Sequence, residues 1–265
     1  MYNQEKNQGV ITMQDRKTQI VNILSQIGYA TVSEIAAQVY ASEPTIRRDF
    51  ASLERNGIIR RTHGGATYLE NQNFFPFDLR NKVNMQEKIK IGQLAARLLH
   101  NGDCIFIDIG STAYCFAKSI DPKMQLTVMT TGLPIANLLA RYSNITVECP
   151  GGAYDFKYST FYGEETIKAI QQRNAKYFFV STGMFSAQSG ATGSAKLDIA
   201  AKHAFNKQAK ETVLLMDHTK EKEDGYYTIF NWNEIDILVT DRQPSKQIIE
   251  CCEKNNIRQI WPGNE

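Results

Sequence analysis

The stretch ASEPTIRRDFASLERNGIIRRTHGGA, residues 41–66, decides the fold of the first part of the chain. Ser42 is a good helix N-cap, and Pro44 then falls in the first turn, where its missing N–H costs little. Ile46, Phe50 and Leu53 recur at helical spacing and share one face, and Asn56–Gly57 ends the helix. Two short β-like pieces follow, Ile58–Thr62 and Ala66–Leu69, joined by His63, Gly64 and Gly65 as a hairpin. Upstream, Ile20, Ile23, Leu24 and Ile27 give one face of a helix over 15–27, stopped by Gly28. Thr31 with Glu34 forms a capping box that opens a second helix over 32–39, with Ile35, Ala36 and Val39 on its buried face. Three helices and a hairpin make a winged helix-turn-helix over residues 1–70.

In such a fold the start of the second helix of the motif enters the major groove of double-stranded DNA. Ser42 and Thr45 hydroxyls suit phosphate contacts, and Arg47 and Arg48 can fork onto guanine or pair with phosphates. Arg60 and Arg61 bring charge to the base of the wing, and His63, Gly64 and Gly65 would let the wing backbone approach DNA closely. Residues 1–70 hold eight Lys/Arg against seven Asp/Glu, a net +1. DNA contact therefore rests on how these charges are arranged, not on their sum.

Residues 71–82, NQNFFPFDLRNK, fit neither helix nor strand periodicity and are expected to link two domains. Their phenylalanines, Phe74, Phe75 and Phe77, would cover a neighbouring core or form an inter-domain or subunit contact. Beyond them, residues 83–265 alternate apolar β-branched runs with helical patterns. The runs are 105–109, 126–130, 145–149, 177–182, 212–217 and 235–241. This alternation predicts a doubly wound, mostly parallel α/β domain.

Glycine, hydroxyl and charged residues gather where those strands end: Asp108, Gly110, Ser111 and Thr112; Gly151 and Gly152; Ser181, Thr182 and Gly183; Asp217 and Lys220. Convergence at the carboxyl ends of parallel strands is the geometry of a ligand crevice. Ser111, Thr112 and the free N–H groups of the helix that follows can hold an anion such as a phosphate. Asp108 would take a sugar hydroxyl or brace the loop, since a carboxylate repels phosphate.

With 265 residues and a net charge of +2, the chain has room for two cores and excludes a broad polybasic surface. No apolar run approaches a membrane span, and the polar N-terminus lacks a secretion signal, so a cytoplasmic protein is expected. The five cysteines, Cys104, Cys115, Cys149, Cys251 and Cys252, are scattered, with no C-x-x-C pair or zinc-ligand histidine spacing. Inert thiols, no metal and no cofactor are expected, with Cys104 and Cys149 acting as small hydrophobes beside apolar runs.

The run 41–66 resembles the signature of the DeoR family of bacterial transcriptional regulators, carried by Ser42, Thr45, Ile46, Arg47, Arg48, Asp49, Leu53, Glu54, Gly57, Arg61, His63, Gly64, Gly65 and Ala66. The resemblance extends over roughly residues 13–242. It implies a DNA-binding regulator, usually a repressor, with an effector domain similar to sugar-phosphate isomerases. In that family Asp108, Gly110, Ser111 and Thr112, then Gly151 and Gly152, then Asp217 and Lys220 match the segments that border the site. Thr130–Thr131 and Glu221–Lys222 depart from the family's Thr-Asn and Phe-Gly. The expectation is a repressor acting as a homodimer or higher oligomer and controlled by a phosphorylated sugar or related metabolite. An isomerase-like enzyme with an accessory DNA-binding domain is the alternative.

Overall fold

A computed structural model describes residues 13–55, 58–69, 77–81, 83–222 and 224–265. The chain divides into two compact units, Met1–Phe75 and Pro76–Glu265.

The first unit runs α1 (Met13–Ile27), β1 (Tyr29–Thr31), α2 (Val32–Gln38), α3 (Glu43–Arg55), β2 (Ile59–Arg61) and β3 (Gly65–Tyr68). The capping box forms as its sequence dictates. Thr31 Oγ1 accepts the Glu34 N–H at 3.2 Å, and Glu34 Oε2 accepts the Thr31 N–H at 2.8 Å. Ile20, Val21, Leu24, Ile35, Ile46, Phe50 and Leu53 fill the core between the helices. Ile27, expected on that face, is instead 56% exposed, because it is the last residue of α1 before the chain turns at Gly28, φ +77°. β1 was not anticipated: three residues carry too little pattern to read. It pairs antiparallel with β3, which pairs with β2, so the wing is a three-stranded sheet.

The second unit begins with α4 (Phe77–Arg80) and α5 (Met85–Ala96), followed by β4 (Cys104–Ile107), α6 (Ser111–Ser119), β5 (Leu126–Thr130), α7 (Leu133–Leu139) and β6 (Ile145–Glu148). A hairpin of β7 (Ala153–Asp155) and β8 (Thr160–Tyr162) leads to α8 (Glu164–Gln171), β9 (Ala175–Val180), β10 (Met184–Ser186) and β11 (Gly190–Gly193). The chain ends with α9 (Ile199–Gln208), β12 (Ala209–Met216), β13 (Tyr227–Phe230), β14 (Ile237–Thr240), α10 (Lys246–Lys254) and β15 (Arg258–Ile260). Residues 71–76 of the expected linker, with Phe74 and Phe75, and residue 82 lie outside the described residues. Phe77 within it is buried on α4, edge-on to Tyr114 at 5.3 Å, and so covers the core of this unit.

Seven strands form one sheet in the order β15-β14-β12-β9-β4-β5-β6, every neighbouring pair parallel. Alternate residues of each strand serve opposite faces. Ile105, Ile107, Phe179, Val213 and Leu215 pack with Leu94, Phe116 and Leu139 of α5, α6 and α7. Phe106, Phe178, Val180, Leu214 and Met216 pack with Ile170, Phe205 and Ile248 of α8, α9 and α10. Helices on both faces make the sheet doubly wound. The strand order reverses direction between β4 and β9, and at such a switch point the carboxyl ends of two adjacent strands open a crevice.

The thiols correct one expectation. Cys104 and Cys149 are exposed, whereas Cys115 and Cys252 are buried. Cys104 is the first residue of β4 and Cys149 follows the last residue of β6, so each stands at the rim of the sheet and not among the apolar residues next to it in sequence.

Candidate nucleic-acid interface and effector site

On α3 the apolar face is turned inward, and Ser42, Arg47 and Arg48 are exposed, with Thr45 half-buried. The Ser42 and Thr45 hydroxyls bond each other at 2.9 Å at the head of the helix. Asp49 is buried and accepts from Arg16 Nε of α1 at 2.7 Å. The partner is 33 residues away, so no local pattern could reveal it. Arg47 lies 3.3 Å from Glu43, one turn back. Arg61 is held more firmly: Glu54 accepts its backbone N–H at 2.9 Å and its Nε at 2.6 Å, locking β2 to the end of α3. Those two bonds, backbone first, hold the Glu54 carboxyl below its ordinary pKa. Arg48 and Arg60 are exposed and form no ion pair among the described residues.

His63 and Gly64 are exposed at the wing turn, where Gly64 has φ +139° and its carbonyl accepts the Val32 N–H at 2.8 Å. Gly65 has an internal reason to be glycine. A Cβ there would stand 2.4 Å from the Ala30 carbonyl oxygen, so the close approach it permits is to β1.

In the second unit, Asp108 follows β4 at the switch point and is buried. Its N–H donates to the Phe179 carbonyl at 2.9 Å, and its Oδ2 accepts the Ser181 N–H at 3.3 Å, stitching the ends of β4 and β9 together. Its Oδ1 accepts from Lys202 Nζ of α9, which also meets Asp198 at 2.8 Å. Of the two roles open to Asp108, bracing is the one its bonds display. Gly110 is the N-cap of α6 and has no side chain to cap it, and a Cβ there would collide with Ser181 Oγ at 2.0 Å. The first N–H groups of α6 thus lack a side-chain acceptor. Beside them Thr112 is completely buried, and its Oγ1 has no hydrogen-bond partner among the described residues. A buried hydroxyl without a partner costs about 1–3 kcal/mol unless something else meets it.

Asp217 follows β12 and is also fully buried. Its Oδ1 accepts from Thr219 N at 3.2 Å, from the Thr219 hydroxyl and from Asn84 Nδ2 at 3.4 Å, whereas its Oδ2 has no partner among the described residues. Burial alone would raise this carboxyl, but Lys220 and Lys88 outweigh it and hold the group below its ordinary pKa. Lys220 Nζ donates to the Thr182 carbonyl at 2.9 Å, bridging the ends of β12 and β9. Burial depresses the pKa of Lys220, with Arg80 and Lys202 adding to the effect and Asp217 and Asp108 opposing it. For Lys202, burial is outweighed by Asp108 and Asp198, and its pKa rises. Lys88 of α5 is pushed down to about 7, first by burial and then by Lys220.

These mutual influences mark one cluster: Arg80, Lys88, Lys202 and Lys220 with Asp108, Asp198 and Asp217. The structure therefore brings Asp108, Asp217 and Lys220 together, beside Thr182 and Gly183. Gly151 and Gly152, at φ +72° and +110°, are tied to α8 instead. Thr166 Oγ1 donates to the Gly151 carbonyl at 2.6 Å and fills the space a Gly152 side chain would need. Sequence reasoning missed Arg80, Lys88, Asp198 and Lys202. Lys88 alone left a trace, since it stands three and seven residues before the buried Ile91 and Ala95 on the inner face of α5.

A winged helix-turn-helix unit followed by a doubly wound unit with a charged cluster at its switch point is the architecture of a DNA-binding regulator joined to a sensor domain. Family comparison agrees: residues 16–72 match the DeoR-like helix-turn-helix domain, and residues 83–242 match the DeoR C terminal sensor domain. The chain belongs to the DeoR family. It is 29% identical to the HTH-type transcriptional repressor GlcR of Bacillus subtilis, over 93% of this chain and 95% of that one. It is 32% identical to the HTH-type transcriptional regulator GolR of Listeria innocua, over 88% and 92%. Both relatives are named as transcriptional regulators, not enzymes. Among solved structures, ribose 5-phosphate isomerase A of Methanocaldococcus jannaschii is similar over 52% of this chain and 55% of that one, at 17% identity and a TM-score of 0.39. Among the described residues, no helix is long and apolar enough to cross a membrane.

Proposed function

We propose that this regulator is a repressor whose hold on operator DNA is controlled by a phosphorylated sugar or related metabolite bound at the switch point of the second unit. The observation that carries the reading is the Thr112 hydroxyl, fully buried and unpartnered beside the uncapped start of α6. Helix N–H groups with a neighbouring hydroxyl suit phosphate oxygens. The cluster beyond carries a net positive charge whenever Lys88 is protonated, and Asp217 Oδ2 is free to accept from a ligand hydroxyl. Gly110, Ser111 and Thr112 would cradle the phosphate, Lys220 would supply positive charge, and Asp217 would take the sugar.

On the DNA side, Ser42, Thr45, Arg47 and Arg48 would enter the major groove, while Arg60, Arg61, His63 and Gly64 would follow the phosphates. One winged helix touches few base pairs, so at least a homodimer would set two of them in successive grooves. The metabolite must favour one conformation or arrangement over another, because equal affinity shifts nothing. A thermal-shift screen of phosphorylated metabolites on the full chain, with and without DNA fragments selected from a genome, tests the reading. A metabolite that raises the melting temperature and releases DNA supports it. Stabilisation only by uncharged sugars would overturn it.

A further inference from the structure

Arg80, Asn84 and Lys88, near the start of the second unit, join the charged cluster without any motif announcing them. Asn84 sits in the left-handed region at φ +51°, which asparagine tolerates better than most residues. It is the N-cap residue of α5, yet its side chain does not cap that helix. It donates instead to Thr219 Oγ1 at 2.9 Å and to Asp217 Oδ1, tying the start of α5 to the turn that carries Lys220. One turn later Lys88, buried, donates to the carbonyls of Arg80 at 2.6 Å and Val83 at 2.7 Å.

Among the described residues Lys88 makes no ion pair, although it lies within a charged cluster. Arg80 of α4, Cys115 of α6, and Asp217 and Lys220 from the turn after β12 are the charged and titratable groups that face it. Asp217 attracts its proton. Burial, Lys220 and Arg80 work against it, and the balance puts its pKa at about 7. An anion received beside Lys220 would add the missing counter-charge.

We propose that Lys88 is a positioning residue of the effector site that takes up a proton as an anionic ligand binds beside Lys220, coupling ligand affinity to pH. The proposal rests on the anion-binding reading given above. The protonated amine keeps both carbonyl bonds, so ligand binding also tightens the stretch of chain that begins the second unit.

Sulfate is a suitable probe, because it carries two charges and does not titrate between pH 6 and 9. Its affinity for the full chain is measured by thermal-shift titration across that range at constant ionic strength. If bound sulfate keeps Lys88 protonated throughout, affinity falls about tenfold per pH unit well above 7. Lys88→Arg, whose guanidinium does not titrate there, keeps the low-pH affinity within a few fold and flattens the profile. Lys88→Met binds weakly at every pH, also with a flat profile, and serves if the arginine does not fold. A flat profile in the parent chain, or a slope that persists in either variant, overturns the proposal. Thr112→Val is measured alongside at pH 6. If it binds sulfate as well as the parent, the anion-site reading itself fails. If it loses sulfate while the Lys88 variants keep the parent's slope, only the role of Lys88 fails.

Discussion

Replacing Thr112 by valine separates a binding role from a structural one, because the two predict opposite signs. The side chain is fully buried and its hydroxyl bonds nothing among the described residues, so the replacement breaks no hydrogen bond seen there. Relief of an unpartnered hydroxyl, worth about 1–3 kcal/mol, leaves the ligand-free protein as stable as the parent or more so. If the proposed site holds, the same hydroxyl would donate to a phosphate oxygen of the ligand, a charge-assisted bond worth about 1.5–3 kcal/mol. Effector affinity should fall roughly ten- to hundredfold. A ligand at one hundred times its dissociation constant stabilises the parent by about 2.7 kcal/mol, and after a hundredfold loss by only about 0.4 kcal/mol. Differential scanning calorimetry with and without the metabolite reads both quantities. Operator binding should persist, with release needing a correspondingly higher metabolite concentration. An unchanged ligand-induced shift would refute the assignment. So would a large drop in stability without ligand, which would mean that the hydroxyl holds the fold.

Arg48→Ala should weaken operator binding by about 1–3 kcal/mol if the side chain reads a guanine, measured by fluorescence anisotropy against cognate and scrambled duplexes. Glu54→Gln weakens the hold on Arg61, so binding to all sequences should tighten and the salt dependence steepen; an unchanged slope would deny Arg61 a phosphate contact. Asp49→Asn strips the charge opposite Arg16 in a largely buried pair and should destabilise the winged unit by about 2 kcal/mol in urea unfolding. Lys88 sets a pH dependence of stability. Its pKa is about 7 when folded and near 10.5 when unfolded, so the unfolded chain binds the extra proton between those values. The burial penalty is then complete below pH 7 and is relieved as pH rises. The stability difference between Lys88→Met and the parent should therefore shrink by about 2–3 kcal/mol from pH 7 to 9.

Much of this protein is legible along the chain, because its determinants are local. Ile46, Phe50 and Leu53 recur at the helical period, Thr31 and Glu34 sit at capping distance, and runs such as 126–130 and 212–217 are β-branched and apolar enough to be buried strands. Periodicity and capping act over three or four residues, so the winged helix and the alternating strand–helix unit follow from sequence. The glycines, hydroxyls and acids at the strand ends were visible for the same reason, since tight βα turns need them. Tertiary structure alone decided which of these groups remain available. Asp108 is occupied by Lys202, 94 residues away, and by the Ser181 N–H across the switch point, whereas Asp217 keeps one oxygen without a partner. Gly65 owes its identity to the Ala30 carbonyl, and Asp49 found its cation on α1 rather than on its own helix. Arg80, Lys88 and Lys202 join the charged cluster from helices whose periodicity describes only how they pack. Whether a buried charge is paired, and whether its proton is firmly held, depends on distances between distant parts of the chain, and no local pattern encodes those.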